Sequence, residues 1–267
     1  MLRAHLHRKL RRTGETEDDV RCLEDTATAT LFERLSYLPD DTLIRILFDP
    51  ALWPGLTMET LPTAVRSVSF WPSWNRDGDD HNRLEPDLVI TFDNRVLVIE
   101  AKRFDWKQMQ KPDQLAREWH AAHEQYPRMP VWLLAVSGLR DDRRATLDAC
   151  RRAVRDVLAA VPVSNRSNEL RLGYTPWYRL FATIERTLDD RPHFRRLLTD
   201  LRDGLADHGV TLARPVWLDE LISTPLAGLR PLAAEPTAFP HWRRPLHPIT
   251  GFGRIAAHPS TFLPEFA

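Results

Sequence analysis

Apolar and polar positions along the chain follow two spacings, one typical of short β-strands and the other of α-helices. Two runs rich in Val, Ile, Leu, Thr and Phe, at 88–92 and 95–99, flank Asp93 and Asn94. Asn and Asp tolerate the positive φ that a two-residue hairpin turn requires. The pattern therefore predicts two antiparallel strands joined by a tight turn.

Other segments complete the predicted set of strands and helices. Residues 131–136 are continuously apolar, which is typical of a strand buried on both faces. Further strands are predicted at 64–71 and 170–174, and helical spacing of apolar residues predicts helices over 17–38, 42–48, 112–126, 141–160, 176–188 and 192–208. This order predicts an α/β domain over residues 1–209. Residues 210–267, rich in Pro and aromatic residues, are predicted to form an irregular extension packed on that domain.

The hairpin brings two acidic positions together. With Asp93 and Asn94 as the turn residues, Asp87 lies directly opposite Glu100, and Lys102 follows on the same face because side chains alternate with a period of two. Opposed Cβ atoms are roughly 5 Å apart, a distance at which like charges destabilise a strand pair. A divalent cation removes this repulsion, since hard cations take oxygen ligands. The register thus predicts a metal site at the hairpin.

The first predicted helix carries an acidic residue on its apolar side. At 100° per residue, Glu24 projects between Val20 and Leu35, whereas Glu33 projects to the opposite side, which is predicted to face solvent. A carboxylate on a buried face needs a partner. That partner is either a neighbouring arginine or the metal site at the hairpin, and the sequence leaves both alternatives open.

Composition excludes several classes of protein. Of the 267 residues 43% are hydrophobic, but no apolar run approaches the roughly 18 residues of a membrane span. The basic segment 1–12 is not followed by a hydrophobic region, so a secretory signal is not expected. Two cysteines, Cys22 and Cys150, are too few for a disulfide framework or a zinc quartet. We therefore expect a soluble, cytoplasmic protein without a membrane partner.

The charges of the chain are balanced, with 37 Lys and Arg against 37 Asp and Glu. This balance argues against strong sequence-independent adhesion to nucleic acid, which depends on many phosphate contacts. The cations are mostly arginine, whose fork suits phosphate oxygens. The outer side of the predicted helix 141–160 presents Arg143, Arg144, Arg151, Arg152 and Arg155. That side is either a solvated face or a groove for DNA.

The acidic hairpin carries a resemblance to a known family. Pro86-Asp87 and, thirteen positions later, Glu100-Ala101-Lys102 resemble the PD-(D/E)xK nuclease signature. The surrounding order of predicted elements is similar to the α-β-β-β-α-β order of the restriction-endonuclease-like core, which has a central mixed β-sheet flanked by helices. The resemblance covers residues 17–137, and it implies that fold for this chain.

The resemblance also implies a role for each matching residue of the hairpin. Asp87 and Glu100 would bind Mg²⁺ or Mn²⁺, with the backbone carbonyl of Ala101 as a further ligand. Lys102 would orient or activate the attacking water. A divalent ion suits phosphodiester hydrolysis, because it generates a nucleophile near neutral pH and stabilises charge on phosphate oxygens.

Two more residues are implied by the resemblance. Glu24 lies in a stretch similar to the first-helix motif of the family and would complete the metal site. Gln114 is similar to the glutamine that some branches carry on the helix after the hairpin. Glu118 stands where those branches place an aromatic residue, and Trp119 follows it.

The activity that the resemblance implies is metal-dependent hydrolysis of DNA by an endonuclease, such as the cutting subunit of a restriction, repair or phage-defence system. Because the charge is balanced, a protein partner that delivers the DNA is expected. Two alternatives stay open. One is a catalytically silent nuclease-fold module for binding or assembly, and the other is a ribonuclease that uses the same site.

Overall fold

In a computed structural model, the chain divides into two compact units, residues 1–215 and 216–267. The structure describes residues 17–58, 60–74, 84–103, 109–160 and 169–215, and for residues 17–24 it describes only the backbone. All of these residues belong to the first unit. The predicted C-terminal extension lies, from residue 216 onward, outside the described residues.

A mixed five-stranded β-sheet lies at the centre of the described residues. Its strands lie side by side in chain order: β1 Val65–Phe70, β2 Leu88–Phe92, β3 Val96–Ala101, β4 Val131–Val136 and β5 Arg171–Thr175. Strand β2 is antiparallel to both β1 and β3, whereas β3, β4 and β5 run parallel to one another. This sheet and its flanking helices confirm the predicted α/β class.

The described residues form six α-helices. They are α1 Glu17–Leu35, α2 Asp40–Leu47, α3 Pro112–Gln125, α4 Arg144–Ala159, α5 Trp177–Leu188 and α6 Arg195–Asp207, with short 3₁₀ helices at Pro50–Leu52 and Pro192–Phe194. Each corresponds to a predicted helix with shifted ends. Helix α1 stops before the predicted end at 38, because Leu38 closes a turn onto the carbonyl of Leu35 just before Pro39. Among the described residues, no helix combines the length and the apolar character that crossing a membrane requires.

Side chains of the sheet alternate between two apolar cores. In β3, Leu97 and Ile99 pack in the core that α1, α2, α5 and α6 share, while Val96 and Val98 pack in the core of α3 and α4. The period of two along a strand produces this division. Glu100 is two residues beyond Val98, so it projects toward the α3 side. The acidic position is therefore placed in the layer that contains α3.

The register of the β2–β3 hairpin is the predicted one. Leu88 pairs with Ile99 and Thr91 pairs with Val96, and the N–H of Phe92 donates to the carbonyl of Arg95 at 2.9 Å. Extending this pairing by one step places Asp87 beside Glu100. The prediction of two adjacent carboxylates is confirmed at the level of the backbone.

Two predictions about helix faces are wrong. Glu33 was predicted to face solvent, but it is buried, as is every residue from 26 to 33. Helix α1 packs against α6 and shares an apolar core with residues of the sheet. Arg151 was placed on the outer side of α4, but it is also buried and donates from Nε and Nη2 to the carbonyl of Leu172 at 2.9 and 2.6 Å. Both errors arise because contacts with distant segments, rather than helical spacing, decide the burial.

Candidate active site

The candidate site lies at the end of the β2–β3 hairpin, on the side of the sheet that α3 covers. Asp87 directly precedes β2, and Glu100 is the next-to-last residue of β3. Gln114 and Glu118 lie one turn apart on α3, so they project from the same side of that helix. Three separate elements therefore contribute side chains to one small volume.

Hydrogen bonds connect these side chains directly. Nε2 of Gln114 lies 2.6 Å from Oε1 of Glu100 and 2.9 Å from Oε1 of Glu118. Nζ of Lys102 lies 2.5 Å from the same Oε1 of Glu100. Oδ2 of Asp87 accepts the backbone N–H of Ala101 at 2.8 Å. The structure thus brings Asp87, Glu100, Lys102 and Gln114 together.

The carboxylates of this group are withdrawn from water. The exposed fractions of Glu118 and Glu100 are 1% and 2%, and that of Asp87 is 6%. The second oxygens of Glu100 and Glu118, both named Oε2, are buried and accept no hydrogen bond from the described residues. Buried carboxylate oxygens without proton donors are the ligands that a hard cation takes. In the described part of the chain, however, no three His, Cys, Asp or Glu side chains are arranged to hold a metal ion.

The clustering of buried acids raises the pKa values of two glutamates. Burial, together with the charges of Asp87 and Glu118, raises the pKa of Glu100 well above its usual range, and Lys102 opposes this rise. Burial also raises the pKa of Glu118 to about 7, against a hydrogen bond from Gln114 that lowers it. Both shifts have the direction expected when a negative charge is moved out of water beside other negative charges. Positive charge in addition to Lys102 would therefore stabilise the ionised cluster.

The backbone around Glu100 is held from several sides. Nε2 of Gln110 donates to the carbonyl of Glu100 and to that of Ser137, each at 3.2 Å. The indole N–H of Trp177 donates to the carbonyl of Lys102 at 2.8 Å. These contacts come from residues before α3 and at the start of α5. They fix the strand end that carries the acidic and basic side chains.

Three of these residues were not predicted as part of the site. Glu118 departs from the family pattern at its position, but it lies three residues after Leu115 on the buried side of α3 and four after Gln114. That helical spacing is a signal that could have identified it. Gln110 lies in an irregular segment without periodicity. Trp177 has the sequence pattern of an ordinary core residue.

Glu24 and Ala101 are the remaining predicted site residues. The side chain of Glu24 lies outside the described residues, and its helix α1 contributes to the core on the opposite face of the sheet from Glu100. Ala101 is fully buried, and its described contact with the site is the N–H that it donates to Asp87. The predictions for Glu24 and for the Ala101 carbonyl stay predictions.

Comparison with known proteins adds a relative from a bacterium. The chain is 31% identical over 215 residues to "Uncharacterized protein PM0110" from Pasteurella multocida (strain Pm70). The match covers 78% of this chain and 76% of the relative. No protein-family model matches the chain, and no solved structure matches it. The similarity to the bacterial protein therefore extends over most of both sequences.

Proposed function

We propose that this chain, which belongs to the same family as protein PM0110 of Pasteurella multocida, is a metal-dependent nuclease that hydrolyses DNA phosphodiester bonds. The proposal includes a restriction-endonuclease-like core for the described sheet and helices. One observation carries it. Asp87, Glu100 and Lys102, which match the PD-(D/E)xK signature in sequence, lie together at one buried strand end beside Gln114.

The residues present suit a divalent cation. Asp87 and Glu100 would hold Mg²⁺ or Mn²⁺, and the Oε2 atoms of Glu100 and Glu118 offer buried acceptors without donors among the described residues. Bound there, the ion would supply charge stabilisation for the phosphate oxygens and ease the ionisation of water. The raised pKa values of both glutamates agree with a cluster whose negative charge Lys102 alone does not offset.

The side chains of the chain have distinct tasks in this proposal. Lys102 contacts Oε1 of Glu100, and its side chain retains 13% exposure, so its ammonium group can face both the acidic cluster and a bound phosphate. It orients the attacking water or stabilises the negative charge that develops on the phosphate. Gln114 fixes the orientation of Glu100 through the hydrogen bond between them.

The experiment is a cleavage assay with purified protein and Mg²⁺ or Mn²⁺ on plasmid DNA, single-stranded DNA and RNA. Asp87→Asn, Glu100→Gln and Lys102→Met should each reduce cleavage by on the order of 10²-fold or more. Asp190→Asn changes an exposed acid outside the site and should leave the rate unchanged. Undiminished cleavage by the three site variants overturns the site. Cleavage of RNA but not DNA identifies a ribonuclease, and no cleavage of any substrate overturns the nuclease proposal.

A further inference from the structure

A cleft of about 570 Å³ lies at the end of the sheet opposite to the candidate active site. Its lining includes Arg95 just before β3, Val131 and Trp132 at the start of β4, and Arg171 at the start of β5. The candidate active site lies at the opposite end of β3. Glu100 is the fifth residue after Arg95, which corresponds to roughly 16 Å along an extended strand. The cleft is therefore separate from the proposed active site.

A buried guanidinium forms part of this cleft. Arg95 is 7% exposed, and its guanidinium carbon lies 4.8 Å from the ring centroid of Trp132 and 5.2 Å from that of Phe48. Its Nε donates to the side chain of Asn94 at 3.0 Å, and its Nη2 donates to the carbonyl of Thr60. Its third nitrogen, Nη1, is buried and has no acceptor among the described residues.

The positive charge of Arg95 is not neutralised by an ion pair in the described part of the chain. An uncompensated buried charge is unfavourable, and the flanking aromatic rings offset only part of that penalty. Burial lowers the pKa of Arg95, against a smaller opposing effect of Asp93. An anion in the cleft would supply the missing negative charge.

Two further arginines line the cleft. Arg128 and Arg171 are exposed, and neither side chain makes a hydrogen bond or an ion pair with a residue that the structure describes. The acidic residue in the lining, Glu169, has a side chain that is 60% exposed, and its Oε2 lies 3.9 Å from Nε2 of His123. Among the described lining residues, three guanidinium groups against one outlying carboxylate give an excess of positive charge. Arginine forks are well suited to phosphate, because they donate two parallel hydrogen bonds to its oxygens.

The remaining lining of the cleft is largely apolar. Pro127, Met129, Pro130 and Trp132 contribute to it, along with the threonine side chains of the loop before β1. A volume of this size is typical of sites for small organic molecules rather than for a bare ion. The combination of guanidinium groups with an apolar wall suits a ligand that has an anionic end and a flat, weakly polar body.

We propose that this cleft binds a phosphate monoester of mononucleotide size. The phosphate lies among Arg95, Arg128 and Arg171, and the body of the ligand lies against the wall formed by Pro127, Met129 and Trp132. The proposal does not depend on nuclease activity, because no residue of the cleft belongs to the candidate active site.

The test is isothermal titration of the full chain with AMP, inorganic phosphate and adenosine. AMP should bind, phosphate should bind more weakly, and adenosine should not bind measurably. Arg128→Ala/Arg171→Ala should weaken AMP binding by at least about tenfold, because two charged contacts are lost. Arg152→Ala/Arg196→Ala removes two exposed arginines outside the cleft and should bind AMP as the wild type does. Thermal unfolding of both double variants verifies that they are folded.

Three results overturn the proposal: no binding of AMP or phosphate, equal binding of AMP and adenosine, or equal weakening by the two double variants. A 5′-phosphorylated dinucleotide distinguishes two kinds of ligand that carry the same phosphate group, a free nucleotide and the end of a nucleic acid strand. Tighter binding than AMP identifies the end of a nucleic acid strand as the ligand, and equal or weaker binding identifies a free nucleotide. Both outcomes support a phosphate site.

Discussion

The side-chain amide of Gln114 lies 2.6 Å from Oε1 of Glu100 and joins helix α3 to the end of strand β3. The same nitrogen also donates to Glu118, at 2.9 Å. One amide therefore holds two buried carboxylates that would otherwise repel each other. This arrangement makes the consequences of changing Glu118, or the residues proposed to bind a metal, specific enough to measure.

Replacing Glu118 by Gln should stabilise the metal-free protein. The substitution keeps the size of the side chain and removes one buried negative charge beside Asp87 and Glu100. Relief of that repulsion should raise the free energy of unfolding by about 1 kcal/mol. Urea denaturation in the presence of a chelator measures it. Glu124→Gln, on the exposed side of α3, is the matched control, and a Glu118→Gln variant no more stable than this control contradicts the prediction.

Divalent ions should raise the melting temperature of the wild-type protein, since a ligand that binds the folded state stabilises it. The Asp87→Asn/Glu100→Gln double variant should lack this response because both proposed ligands are neutralised. Differential scanning fluorimetry with and without Mg²⁺ or Mn²⁺ makes the comparison. An equal rise in melting temperature for the two proteins would exclude a metal at the hairpin.

Stability should fall on acidification as a result of His208. Burial and the charge of Arg103 lower the pKa of this histidine below its usual 6.5, and its ring nitrogens lie within 3.4 and 3.0 Å of the hydroxyls of Thr26 and Thr30 on α1. The folded state therefore binds the proton less readily than the unfolded state. The contribution is complete above pH 6.5 and is lost as the pH falls through the lowered pKa.

The pH effect is measured as the free energy of unfolding of the wild type, of His208→Gln and of His193→Gln between pH 5 and pH 8. These limits bracket roughly the range in which histidine changes charge. His208→Gln should flatten the acidic decline, whereas the exposed His193 should not matter. A decline of the same steepness in all three proteins would assign it to other groups.

Loss of the Arg151 side chain should destabilise the fold. Arg151→Met leaves the carbonyl of Leu172 without its two buried donors and removes the ion pair with Asp148. The expected loss is about 2 kcal/mol, which is typical for a buried acceptor that loses charged donors. The neighbouring Arg152 is exposed, so Arg152→Met should change stability by less than about 0.5 kcal/mol. Chemical denaturation measures the free energy of unfolding of both variants. Equal losses in the two would show that the burial of Arg151 does not contribute to stability.

The sequence is sufficient to predict those parts of the site that depend on local geometry. The turn at Asp93 and Asn94 determines the register of the hairpin, and the register brings Asp87 beside Glu100. The burial of Glu33 and of Arg151, which was not predicted, depends on packing between distant segments. Glu33 is buried in a helix that packs against α6, more than 150 residues later in the chain. No local pattern encodes such a contact.

The cleft at the other end of the sheet illustrates the same limit. It is assembled from the loop before β1, the hairpin turn, the segment between α3 and β4, and the start of β5. In the sequence its arginines are scattered among many exposed ones. Only their arrangement in space distinguishes Arg95, which lies against two aromatic rings, from an ordinary surface cation.

The position of β3 in the middle of the sheet has a consequence for how long the site persists under stress. All six residues of β3 are buried, and the strand is hydrogen-bonded to β2 on one side and to β4 on the other. Amide hydrogens in such a strand exchange with solvent mainly when the whole domain opens, rather than by local fraying. Glu100 and Ala101 therefore belong to the most slowly exchanging part of the domain. The candidate site should keep its geometry until the domain as a whole unfolds.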